Sequence, residues 1–244
     1  MPSEHIVKSF DDQLNRLGHV IAEMGGLAEV QLADAMEALI RRDTEKALRV
    51  AMADKRIDDL ESEVDHLAVS LLALRQPMAQ DLRDVIGALK VSAMIERVGD
   101  YAKNLAKRTS ALAEVPPVPP AFTVGRLGRL VQEMFKESLD SYISRDLAKA
   151  DRTCQLDEEA DALYTSIFRE LLTYMMEDPR NITSCTHLLF VAKNLERVGD
   201  HATNIAEMTH FRVHGKAPAV ERVKDDESSF TVVRPASNAT NASE

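Results

Sequence analysis

ERVGDYAKNLA, residues 96–106, returns as ERVGDHATNIA, residues 196–206. A lone Glu-x-x-x-Asp says little, because two carboxylates four positions apart arise by chance on many helices. The same five-residue block with matching flanks marks an internal repeat. The rest of the chain can be read outward from it.

Both copies lie on apolar stripes of helical period. Val91, Ile95, Val98, Ala102 and Leu105 carry one, and Leu188, Val191, Leu195, Val198, Ala202 and Ile205 the other. Upstream, Phe10, Leu14, Leu17, Ile21, Met24, Ala28, Leu32, Ala35 and Leu39 recur at threes and fours. Ile57, Leu60, Val64, Leu67, Leu71 and Leu74 do the same. Such seams belong to long helices packed in bundles. Leu127, Leu130, Met134 and Leu139 predict a fourth helix, and Leu163, Ile167, Leu171 and Tyr174 a fifth. No strand alternation precedes the C-terminal stretch.

The breaks repeat as well. RDTEKA (42–47) and RDLAKA (145–150) share Arg-Asp-x-x-Lys-Ala, with each Asp placed to N-cap the second helix of its half. RQP (75–77) and EDP (177–179) each put a Pro at the next turn, and EVPPVPPA (114–121) must stop a helix. The fold expected is all-α: two tandem antiparallel three-helix bundles. The first bundle spans residues 5–113 and the second 122–213, with a Pro-rich linker at 114–121 and a disordered tail at 214–244.

Composition narrows the function. The chain has 244 residues, 45% apolar, with a net charge of −10 and no Trp. That charge argues against a nucleic-acid binder and suits cations or basic partners, or plain solubility. No apolar run approaches the roughly 18 residues of a membrane helix, and the N-terminus lacks a secretory core. Cys154 and Cys185 are read as ordinary thiols in a reducing cytosol.

The acids offer a candidate site. Asp54 and Asp58 stand as far beyond Asp43 as Asp157 and Asp161 stand beyond Asp146. Folding each second and third helix into a hairpin, at ~1.5 Å per residue, brings Asp58 level with Glu96 and Asp54 with Asp100. The second half places Asp161 with Glu196 and Asp157 with Asp200. Four carboxylates are expected to gather on each hairpin, opposite the core stripe and open to water. Like charges so placed repel, which a cation would relieve. All-oxygen donors suit Mg, Mn, Ca or Fe, and Asn104 and Asn204 could add amide oxygens. Gly99 and Gly199 fit close backbone approach, open access or a tight helix contact. The plainer reading, acids on a solvated face paired with Arg97, Lys103 or Arg197, stays open. Glu63/His66 and Glu207/His210 form two Glu-x-x-His pairs of di-iron type, but at unmatched heights. No nucleophile elbow, phosphate loop or dinucleotide fingerprint is present.

With these residues in view, the sequence resembles the PhoU family of bacterial phosphate-signalling regulators over roughly residues 5–212. LLALRQPMAQDLR (71–83), ERVGDYAKNLAKR (96–108), DEEADALYTSIFRELLTYMMEDPRNI (157–182) and NLERVGDHATNIAE (194–207) carry the resemblance. It implies metal ions at surface carboxylate motifs, with Fe, Mg, Mn or Zn as candidates. Asp54, Asp58, Glu96 and Asp100 would form one site, and Asp157, Asp161, Glu196 and Asp200 the other. It further implies regulation without catalysis: a cytoplasmic negative regulator of the phosphate-starvation (Pho) response and of phosphate uptake. Such a protein links PstB, the ATPase subunit of the Pst transporter, to the sensor kinase PhoR, meets the membrane only through these partners and often forms a homodimer. The alternatives are a carboxylate-rich bundle with di-iron redox activity, a PhoU-like paralogue serving another transporter, or a helical scaffold whose acids bind nothing.

Overall fold

A computed structural model describes residues 2–53, 55–75 and 77–216. Asp54 and the stretch 217–244, to which the expectation of a disordered tail applies, lie outside the described residues. The elements are α1 (Pro2–Arg41), α2 (Thr44–Ala53), α3 (Lys55–Arg75), α4 (Ala79–Ala113), α5 (Pro120–Ser144), α6 (Leu147–Glu177), a 3-10 turn (Pro179–Asn181) and α7 (Ile182–His214). α2 and α3 together take the place of the first half's second helix. All described regular structure is helical, in the two tandem antiparallel three-helix bundles expected.

The stripes read from the sequence are the buried faces. Leu17, Ile21, Met24, Ala28 and Leu32 of α1 are buried, as are Ile57, Leu60, Val64 and Leu71 of α3. Each large aliphatic side chain so removed from water contributes roughly 1.5–3 kcal/mol before entropy is set against it. The two halves share one continuous core. α4 packs against α7 along the middle, and α1 packs against α5 beside them. Gly128 allows the second contact: a Cβ there would lie 2.2 Å from Met36 Cε.

The helix ends repeat too. Asp43 accepts the Lys46 N–H at 2.9 Å, and Asp146 accepts those of Ala148 and Lys149 at 2.9 and 3.3 Å. The residue before each cap is left-handed, with φ of 58° at Arg42 and 57° at Arg145. Glycine normally fills that position, because it has no Cβ to clash. Here the side chain has a use. Arg42 donates to the carbonyls of Leu112 and Val115 where α4 ends, and Arg145 pairs with Asp84 near the start of α4 at 2.6 Å. Two equivalent arginines thus brace opposite ends of one helix.

Asp84 also receives Arg212 Nε at 3.0 Å. Arg212 in turn donates to the Tyr142 carbonyl at 2.6 Å and lies over its ring. This partly buried network ties the first half to the second. Burial pushes the Tyr142 hydroxyl well above its ordinary pKa, so it stays protonated. α7 ends at Gly215, whose φ of 74° closes the helix.

Candidate functional site: two acidic hairpins side by side

The predicted register holds in the second half. Lys193 Nζ sits 5.0 Å from the Tyr164 ring centroid, so residues 164 and 193 are level. In an antiparallel pair that also levels Asp161 with Glu196 and Asp157 with Asp200. Thr203, one turn beyond Asp200, donates to Asp157 Oδ1 at 3.2 Å.

Burial differs from the expectation. In the first half the acids are open as predicted: Asp58 and Asp100 are exposed and Glu96 is half-buried. In the second half Asp157 and Asp161 are each 4% exposed and Glu196 is 7% exposed; Asp200 is half-buried. The surface placement is therefore corrected for three of these four residues. A position opposite the apolar stripe of its own helix is still covered when the neighbouring helix bears bulky groups there. Tyr164 and Lys193 lie against each other beside these acids, and Lys193 pairs with Glu196. Their counterparts in the first half are Glu61 and Ala93, an acid and a methyl group.

The electrostatics differ accordingly. Lys193 Nζ lies 2.9 Å from Glu196 Oε2, which offsets the cost of drawing that carboxylate out of water. In the first half Lys103 meets Asp100 at 3.6 Å in the open. Burial, then Asp65 and Asp58, raise the Glu61 carboxyl pKa, with Arg97 opposing.

The two motifs meet each other. Tyr101 and His201, next in sequence to Asp100 and Asp200, stack with ring centroids 5.8 Å apart and planes 20° apart. The repeated blocks therefore adjoin across the α4–α7 contact. Burial, then Arg97, depress the His201 pKa against the pull of Asp200, so the ring is neutral at neutral pH. Gly199 faces α5, where an added Cβ would lie 3.6 Å from Met134 Cε; this is ordinary contact rather than tight approach. Asn104 is exposed and Asn204 half-buried.

The donor chemistry suits a divalent cation, since oxygen ligands dominate and their charge is negative. The preformed geometry is less complete. Among the described residues, no group of three or more His, Cys, Asp or Glu side chains is gathered where one ion could touch them all. The Glu-x-x-His residues have other partners: Glu63 takes Arg16 at 2.6 Å and His210 meets Asp151 at 2.9 Å. Neither Cys154 nor Cys185 forms a disulfide, and burial raises the pKa of Cys185. The sequence reading missed Lys193, Tyr164 and Thr203. The register it derived would have found them, because it sets 193 beside 164.

The fold and site define a class: all-α proteins built from a duplicated three-helix bundle with an acidic hairpin in each half. The PhoU domain matches the chain twice, over residues 21–109 and 124–209. A phosphate-specific transport system accessory protein PhoU homolog from Caulobacter vibrioides is 51% identical over 225 residues, covering 92% of this chain and 98% of the relative. The crystal structure of PhoU from Pseudomonas aeruginosa aligns with a TM-score of 0.82 at 39% identity, covering 85% of this chain and all of that one. The PhoU from Streptococcus pneumoniae, a phosphate transport system regulatory protein, aligns at 0.80 with 27% identity. The chain belongs to the PhoU family. Among the described residues, no helix is long and apolar enough to cross a membrane.

Proposed function

We propose that this protein regulates phosphate transport as a non-catalytic adaptor. In this reading it restrains phosphate uptake and the phosphate-starvation response when phosphate is ample. It acts in the cytoplasm between PstB, the transporter's ATPase subunit, and the sensor kinase PhoR, and it works as a homodimer. The observation that carries the reading is the pair of PhoU domains laid over both acidic hairpins. The residues present suit binding and charge display better than bond-breaking, since the polar groups of the hairpins are engaged in ion pairs, caps and ring contacts. Deleting the gene and assaying alkaline phosphatase in phosphate-rich medium tests it. High phosphatase, reversed by the intact gene, is expected; unchanged low phosphatase would sink the reading.

The same proposal gives the acids a cation. Asp54, Asp58, Glu96 and Asp100 would hold it in one half, and Asp157, Asp161, Glu196 and Asp200 in the other. A bound divalent ion would supply neutralisation of the clustered charge. Substituting Asp100→Asn and Asp200→Asn together should lower the metal content of the purified protein. Unaltered elemental analysis would remove the metal from the proposal and leave the adaptor role standing.

A further inference from the structure

The end of the molecule away from the acidic blocks carries a groove of a different kind. It runs where α1 ends, the proline segment crosses and α5 begins. One part encloses about 270 Å³ over a floor of Leu39, Leu112, Val118 and Leu188. A second part, about 300 Å³, continues along Met36 and Ala33. Ile40, Gly125 and Arg129 line both, so the two adjoin. Its floor is buried and apolar, yet its rim leaves Phe122 74% exposed and Ile40 58% exposed. Large apolar side chains held this far into water beside an apolar trough mark an interaction surface.

The groove is also rigid. Arg42 fixes the carbonyls of Leu112 and Val115, and Ser184 Oγ donates to the Pro116 carbonyl at 3.1 Å. Ile40 lies over Gly125, where a Cβ would make ordinary contact with it at 3.7 Å.

Charge says what fits. The chain as a whole carries −10, yet α5 presents Phe122, Arg126 and Arg129 as a single exposed stripe at helical spacing. Arg41 and Glu37 at the same mouth pair with each other at 2.9 Å and offset one another, so the uncompensated charge of the rim comes from α5. An apolar trough with a basic rim matches a short amphipathic helix that has apolar anchors on one face and Asp or Glu beside them.

We infer that this groove docks an acidic amphipathic helical segment of a partner protein, with Phe122 and Ile40 gripping its apolar face and Arg126 and Arg129 its carboxylates. The inference rests on the groove alone and holds whichever partner the adaptor role supplies. A phage-displayed library of random dodecapeptides, panned on the full-length protein, tests it. Enriched peptides should combine Leu, Ile or Phe at helical spacing with Asp or Glu. A fluorescein-labelled copy of one such peptide should bind at least tenfold more weakly to Phe122→Ala and to the Arg126→Glu, Arg129→Glu double variant. Both variants should keep the wild-type melting temperature, because the altered side chains are exposed. No enrichment, a basic consensus, or binding indifferent to both variants overturns the proposal. So does a dimer in sedimentation that Phe122→Ala converts to monomer, which would make a second copy of this chain the occupant.

Discussion

The α3–α4 hairpin and the α6–α7 hairpin carry matching acids of the repeat in different media. Asp58 and Asp100 are in water and Glu96 is half-buried, and the neighbours at the next turn are Glu61 and Ala93. Around Asp157, Asp161 and Glu196 there is protein, and the corresponding neighbours are Tyr164 and Lys193. The two frames differ at many positions around the acids, Glu61/Tyr164 and Ala93/Lys193 among them, and one carboxylate face is solvated while the other is largely dry, with a partly exposed ammonium group at its edge. The lesson is that a duplicated motif fixes where the ligating atoms lie along the helices, while the residues a turn away decide their dielectric. An ion pair in the dry half is worth more than one in the wet half, and its loss costs more.

That contrast can be broken most directly at the two lysines. Lys193→Met removes the ammonium from a carboxylate with 7% exposure. Losing one partner of a buried pair costs roughly 3–5 kcal/mol; because Lys193 itself is partly exposed, a loss of about 2 kcal/mol is expected. Lys103→Met, beside exposed Asp100, should change stability by less than about 0.5 kcal/mol. Urea melts of the two variants compare them directly, and equal losses would show that the halves do not differ in the way described.

A smaller effect is expected at the repeated glycine. Nothing lies closer than 3.6 Å to a Cβ at Gly199, so Gly199→Ala should stabilise the protein by up to about 1 kcal/mol through helix propensity. A fall in melting temperature would show that α5 approaches α7 too closely for a methyl group.

The smallest effect belongs to the wet half. The Glu61 carboxyl titrates above its unfolded value, so its charged form opposes folding. The penalty is absent below the unfolded pKa and complete once the pH has risen through the folded one. Glu61→Gln should therefore add a few tenths of a kcal/mol near neutral pH, an exposed-site magnitude, and nothing well below about pH 4. A gain that persists in acid would assign the effect to packing rather than charge.

Much of this was legible in the residues. The apolar stripes, the paired Asp caps and the prolines specified the helices, because 3.6-residue periodicity, capping and missing N–H groups act over a turn or two of chain. The repeat and the arithmetic of an antiparallel hairpin specified which acids are level. Burial could not be read in the same way. Whether Asp157 faces water depends on how α6 packs against α5 and α7, and whether the two ERVGD blocks meet depends on α4 packing against α7 and on Tyr101 stacking with His201. The left-handed arginines at 42 and 145 gave no local sign of bracing α4 at both ends, since their targets lie 61 to 73 positions away. The sequence by itself determined the elements, their repeat and the register of the second hairpin's carboxylates, all consequences of short-range geometry. Only the tertiary structure decided which carboxylates are dry, which are paired and which apolar groove remains open, because solvent exclusion depends on residues distant in the chain that packing brings together.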